Sequence, residues 1–341
     1  VRPDFMAAEE QGFFTAEGVE IAFERAWHAP THNQGMAGGR WDLTLSSADT
    51  MMARTTRDGT DYVIFMNAER GLDVQLIGAP GIDTLQDIVG KTMAGDPGDS
   101  NYDLHRRKIL RDHGIFEDQY GVEIVGATPE RFEALMAGKV VAAMLTPAHA
   151  GKAVAQGCRV LANASDHVPE YPVCSGWTRR QWAHDRHDAL VRFIRGYTRG
   201  SDWVRDPANR DAAIDMIRRR DGFSPERAAA NLDRVMPHAA IDPPGLARVA
   251  ALRAEMGLYD PPWDPIERFY DATWWSQATG LPGPEPYGVP DLAALASKPA
   301  TCCCAALKAE PPALLAGSAR SPTATRSLEQ LPCVLLCCRY G

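Results

Sequence analysis

Apolar and polar positions alternate through Val19-Glu-Ile-Ala-Phe23, a two-residue period that predicts a strand. Asp42-Leu-Thr-Leu45 repeats the pattern after the turn-prone pair Gly38-Gly39, with a short helix between the two strands. Asp49 to Arg57 reads as a helix with Asp49 near its start, and Tyr62–Met66 and Val74–Ile77 as two further apolar strands. Strands and helices in alternation predict a mainly parallel sheet.

A second series opens at Leu85 with a short helix and a strand ending near Gly95. Leu104, Ile109 and Leu110 mark a helix that stops at Gly114, followed by a strand over Val122–Val125. Pro129–Ala137 reads as a helix ended by Gly138, and Val140–Leu145 as a buried strand. Beyond Cys174 the pattern turns helical: Leu190, Phe193, Ile194 and Tyr197 share one face of Asp188–Asp202, and Pro207 starts another helix running to Arg219. From Pro282 onward Pro, Gly, Ala, Ser and Cys dominate without periodicity, which predicts an irregular, disordered tail beyond a folded boundary near Gly280.

Composition narrows the picture. A chain of 341 residues is long for one core and predicts two lobes at roughly 150 residues per domain. A formal charge of -8 argues against a nucleic-acid or anionic-membrane surface and favours a small molecule or another protein as partner. No apolar run reaches the ~20 residues that a membrane-spanning helix needs, and the first residues lack a basic-then-apolar export signal, so any such signal is expected upstream. Of eight cysteines, only Cys158 and Cys174 fall outside the tail, so their number does not indicate a compartment.

Four stretches, in this order and spacing, carry a resemblance: Ala8-Glu-Glu-Gln-Gly-Phe-Phe-Thr-Ala-Glu-Gly-Val-Glu-Ile, Leu85-Gln-Asp-Ile-Val-Gly-Lys-Thr-Met-Ala, Arg131-Phe-Glu-Ala-Leu-Met-Ala-Gly-Lys-Val-Val-Ala-Ala-Met-Leu-Thr-Pro and Arg205-Asp-Pro-Ala-Asn-Arg-Asp-Ala-Ala-Ile. Over roughly Phe5 to Gln277 the chain resembles the solute-binding proteins of taurine, alkanesulfonate, nitrate and thiamine-pyrimidine importers, the NMT1/THI5-like group. The resemblance implies a type-II periplasmic-binding-protein fold: two α/β lobes that close about a cleft. Residues 1–79 would begin the first lobe, 80–174 form the second, 175–280 return to the first with the last helices, and 281–341 be the tail. The crossovers are expected near Ile77–Pro80 and Val173–Thr178. It further implies a monomer at the periplasmic or extracellular face of the membrane, working with an ABC permease of the inner membrane. In one respect the chain departs from the family, whose members begin with a strand and loop before the equivalent of Met6-Ala-Ala-Glu-Glu; here that strand is missing or only hinted at by Val1–Asp4.

Ligands of open α/β sheets bind beyond the carboxyl ends of strands, at helix amino termini. Three loops qualify. The first holds Ser46, Ser47, Asp49 and Thr50, whose hydroxyls can donate to a ligand oxygen while Asp49 accepts from a ligand amine; alternatively Ser47 or Asp49 caps the next helix. The second holds Ser100, Asn101 and Tyr102, with Asp99 or Ser100 as a cap and Tyr102 as core in the alternative reading. The third presents Thr146 beside Pro147. Weaker candidates are Trp27, His28, Asn67, Ser175 and Trp177, with Arg70 as a partner for a sulfonate.

His105 and His113 read as helix-surface residues, and the His28/His32 spacing is interrupted by Pro30, so neither a metal nor a cofactor is expected. The rival reading is an enzyme similar to the pyrimidine synthases of the same fold, prompted by Cys302-Cys303-Cys304; those cysteines lie in the tail, whereas the family's cluster belongs to the globular part. The expected ligand is a small polar molecule, a taurine-like sulfonate or a nitrogen heterocycle such as a pyrimidine precursor.

Overall fold

The computed structural model describes residues 2–26, 29–96, 100–292, 295 and 333–339. Among the described residues ten strands follow one another: β1 (Glu20–Ala26), β2 (Leu43–Ser46), β3 (Tyr62–Glu69), β4 (Gln75–Gly78), β5 (Thr92–Gly95), β6 (Gly121–Ile124), β7 (Ala142–Leu145), β8 (Arg159–Asn163), β9 (Cys174–Arg179) and β10 (Cys333–Arg339). They form two five-stranded sheets, ordered β1-β10-β2-β9-β3 and β6-β5-β7-β4-β8. In the first, β9 and β10 run antiparallel to their neighbours, so β1, β2 and β3 share one direction. In the second, β5 runs parallel to β6 and β7, while β4 is antiparallel to β7 and β8. This is a mixed, two-lobed α/β architecture, but six of the eight strand pairs are antiparallel where the alternation of strands and helices predicts a mainly parallel sheet, because β4, β9 and β10 run against their neighbours.

Four further expectations are corrected. β4 belongs to the second sheet, so the chain crosses between lobes over residues 70–74 and returns over 168–173, earlier than the anticipated crossovers. The two crossing segments are tied together by Gly71 N–H donating to the Tyr171 carbonyl at 2.8 Å. Cys174–Arg179 is a central strand rather than a crossover leading into helix, with its first five residues buried. Gly176 permits the close packing there, because a Cβ would lie 2.5 Å from the Phe65 ring.

The other two corrections concern the ends of the described chain. Pro3–Glu10 is a helix rather than a hint of a strand; Pro3 opens it, where a missing N–H costs nothing and φ is already helical. It packs against the helix His187–Arg205, at a crossing so close that a Cβ on Gly200 would lie 2.3 Å from the Asp4 carbonyl oxygen. Within the stretch expected to be irregular, Cys333–Arg339 forms β10 between β1 and β2, pairing Glu20 with Arg339 and Leu45 with Val334. Cys-Val-Leu-Leu-Cys-Cys is a short apolar run of the kind that fits a strand covered on both faces.

One continuous core joins the lobes. Trp41, Leu43, Phe65 and Trp177 of the first lobe and Leu76, Met93, Leu104 and Met144 of the second belong to a single cluster of buried side chains. Each such side chain contributes roughly 1.5–3 kcal/mol when removed from water. No helix among the described residues is long and apolar enough to cross a membrane.

Candidate functional site

At the carboxyl end of β2 the chain turns into the helix Ala48–Arg57, and Ser47 is its N-cap: the Asp49 N–H donates to Ser47 Oγ at 3.2 Å. The same Oγ lies 3.2 Å from the hydroxyl of Tyr171, on the returning crossing segment. Asp49 points inward, where Arg253 Nη1, from the helix Pro243–Glu255, donates to its Oδ1 at 2.6 Å; both side chains are 1% exposed. A charge so buried persists because it is paired and hydrogen-bonded. Burial and the neighbouring Asp49 carboxylate raise the Tyr171 hydroxyl well above the usual phenol range, so it stays neutral.

The second lobe meets this group through the helix Asn101–Asp112. Ser100 caps that helix, accepting from Asp103 N–H at 3.1 Å. One turn on, the His105 ring stands edge-to-face against Tyr171 at 4.6 Å between centroids. Its Nδ1 lies 2.7 Å from the Asn101 carbonyl oxygen. Burial pushes the ring pKa down to about 4, the helix carbonyl opposing in part. Ser47, Tyr171 and His105 therefore form one chain of polar side chains from lobe to lobe, a hydroxyl pair followed by an edge-to-face ring contact, with the Asp49–Arg253 pair beside it.

Around this chain lie two further networks. In the second lobe, Arg131 donates to the Met144 carbonyl at 3.1 Å, the Gly126 carbonyl at 2.7 Å and Thr128 Oγ1 at 3.0 Å, and pairs with Asp96 at 3.4 Å. Its guanidinium covers the Tyr102 ring at 4.7 Å. In the first lobe, Asn67 Nδ2 donates to Ser175 Oγ at 2.6 Å and Asn67 Oδ1 accepts from Asp242 N–H at 2.8 Å. Arg70 Nε donates to Asp242 Oδ2 at 2.7 Å.

Of the residues anticipated from the sequence, Ser47 and Asp49 come together about Tyr171, while Asn101 bonds His105 through its backbone carbonyl within its own helix. Ser46 is buried beside them at the end of β2, and Thr50 is half-buried in the following turn. Tyr102 joins the Arg131 network, Thr146 Oγ1 lies 3.1 Å from His149 Nδ1, and Asn67 and Ser175 bond each other. Trp177 packs edge-to-face inside the first lobe against Tyr62 and His32. The geometry thus gives Asp49 an arginine partner where a ligand amine was expected, and Arg70 a carboxylate where a sulfonate was. Trp27 and His28 lie outside the described residues, as do Cys302, Cys303 and Cys304. Among the described residues, no group of three or more His, Cys, Asp or Glu side chains is placed to hold a metal ion.

Sequence reasoning passed over His105, Tyr171, Arg131 and Arg253. His105 carried a signal: it lies four residues before the buried Ile109 and so shares its helix face, which puts it in the interior rather than on the surface. Tyr171 and Arg253 are reached only through the fold, being 124 and 204 positions from their partners Ser47 and Asp49.

Ser47 faces a phenol held neutral, which cannot take its proton, so no nucleophile–base pair arises there.

The family described as NMT1/THI5 like matches residues 4–209. No curated protein matches the sequence. Among solved structures, the alkanesulfonate-binding protein SsuA from Xanthomonas axonopodis pv. citri, bound to MOPS, is similar with a TM-score of 0.61 at 14% identity, covering 76% of this chain and 91% of its own. The periplasmic nitrate-binding protein NrtA from Synechocystis PCC 6803 gives 0.62 at 14% identity, over 82% of this chain and 86% of its own. The desulfurization enzyme DSZB gives 0.61 at 14% identity, over 82% and 97%. The shared element is the periplasmic-binding-protein fold.

Proposed function

The chain belongs to the NMT1/THI5-like family, and from that premise we propose that it is the solute-binding component of an ABC importer. In this reading it works outside the inner membrane as a monomer, captures a small polar organic molecule between its lobes and presents the closed form to a permease. The observation that carries the proposal is the polar chain Ser47–Tyr171–His105, in which a strand-end serine of the first lobe and a helix histidine of the second meet through a tyrosine of the crossing segment. Such an arrangement lets a ligand touch both lobes at once, and lobe rotation about two short segments then follows ligand occupancy.

Binding proteins of this fold in the comparisons take an alkanesulfonate and nitrate, which motivates sulfonates, nitrate, nitrogen heterocycles and aromatic acids as the first compounds to try. In thermal unfolding, a true ligand at about one hundred times its Kd adds roughly 2.7 kcal/mol. Small-angle scattering with the same ligand should show compaction. No stabilisation by any of these classes overturns the reading.

Catalysis is the second reading, prompted by the likeness to a desulfurization enzyme. The neutral Tyr171 partner of Ser47 weighs against it. Turnover of any compound that stabilises the protein would favour it.

A further inference from the structure

Nε2 of His105 is buried and has no hydrogen-bond partner. Native proteins rarely leave such an atom unsatisfied, because its lost hydration is not replaced. The other ring nitrogen decides what this atom can do. A carbonyl oxygen only accepts, so Nδ1, 2.7 Å from the Asn101 oxygen, carries the proton. Nε2 then presents a lone pair. With its pKa down at about 4, the ring stays neutral at pH 7 and the lone pair stays available.

The position of that lone pair bears on ligand choice. His105 stands against Tyr171, whose hydroxyl reaches Ser47 at the end of β2, so the ring is part of the one polar chain that joins the lobes. Sulfonate and nitrate oxygens offer only acceptors and would set lone pair against lone pair. An amine, an amide or a ring N–H would not.

We propose that His105 Nε2 is a specificity-determining acceptor of the cleft, taking a hydrogen bond from an N–H of the ligand, and that the ligand is therefore an ammonium- or N–H-bearing solute rather than an acceptor-only anion. The inference rests on the solute-binding reading above and narrows it. Taurine, with its ammonium, satisfies the rule; ethanesulfonate, of the same carbon length without the amine, does not.

Calorimetric titration of the full chain with taurine, 4-aminopyrimidine, ethanesulfonate and nitrate tests it. At least one donor-bearing compound should bind, with the acceptor-only anions roughly 10- to 100-fold weaker or undetected. His105→Phe, which keeps the ring shape, should lose roughly the same factor for that compound while shifting the unfolding midpoint little, since removing an unsatisfied atom offsets the lost bond to the Asn101 carbonyl. His105→Gln, which supplies an amide oxygen, should recover part of the loss. Nitrogen-15 NMR of the unliganded protein should find the ring protonated at Nδ1.

Ethanesulfonate or nitrate binding as tightly as any donor, with His105→Phe without effect, overturns the inference and leaves the importer reading standing. A ring protonated at Nε2 overturns it as well. Binding by none of the four overturns the inference; failure extended to every class tried above overturns the importer reading too.

Discussion

The two lobes are built from the same kinds of element but from differently distributed chain. The second sheet, β4 to β8, is drawn from one stretch, Gln75 to Asn163. The first takes β1 to β3 from Glu20–Glu69, β9 from Cys174–Arg179 and β10 from Cys333–Arg339. A sheet made from neighbouring segments closes with short loops, whereas one made from distant segments depends on every contributor arriving. The first lobe is therefore the vulnerable one, and it also carries Ser47 and Asp49.

The largest expected effect comes from removing residues 333–341. β10 is flanked on both sides, so its loss leaves β1 and β2 with facing unpaired edges in the middle of a sheet. Hydrogen exchange should show protection lost over 20–26 and 43–46 and retained over β4 to β8. Unchanged protection in both sheets would mean that the first lobe does not need β10, and the contrast between the lobes would fail.

A buried arginine paired with a carboxylate in each lobe gives the next comparison. Asp49→Ala strands the Arg253 guanidinium in the interior and should cost roughly 3–5 kcal/mol, read from urea unfolding. Replacing both, Asp49→Leu with Arg253→Met, should recover most of that. Asp96→Ala in the second lobe should cost only about 1 kcal/mol, because Asp96 is 21% exposed and Arg131 retains two carbonyls and a hydroxyl as acceptors. Equal losses at the two sites would remove the distinction.

The same contrast governs what the sequence disclosed. Local periodicity identified most second-lobe elements, because Val140–Leu145 and the helix after Pro129 are defined by residues next to them. β9 was lost: Cys174-Ser-Gly-Trp-Thr-Arg has no alternation, and only its place between β2 and β3 makes it a strand. β10 was hidden by the composition around it. The strand-end rule placed Ser47 and Asn101 at helix starts, which is where they lie, since a helix start follows a strand locally. It could not find Tyr171 or Arg253, whose roles come from chain crossing between lobes.

A buried histidine with a lowered pKa in each lobe, His32 in the first and His105 in the second, makes the comparison sensitive to pH. Burial lowers both His32 and His105 to about 4, below the value near 6.5 expected in the unfolded chain. The unfolded state then binds the extra proton first, so the stabilisation is complete above pH 6.5 and is lost as pH falls toward 4. Each histidine accounts for about 3 kcal/mol of that loss. His32→Phe should flatten the acid slope for first-lobe amides and His105→Phe for second-lobe amides. A slope unchanged by both variants would assign acid sensitivity to the carboxylates instead.

The smallest effects separate the two capping serines. Ser100 serves only the helix Asn101–Asp112 among its observed bonds, and Ser100→Ala should cost about 1 kcal/mol. Ser47 both caps its helix and meets the Tyr171 hydroxyl, so Ser47→Ala also leaves a buried phenol without that partner. Its cost should rise to about 2 kcal/mol. Tyr171→Phe combined with Ser47→Ala should return the loss toward that of Ser100→Ala, because the orphaned hydroxyl is gone. A double-mutant cycle with no coupling between Ser47 and Tyr171 would show that their contact contributes nothing to joining the first lobe to its returning segment, and the polar chain between the lobes would be broken at its first link.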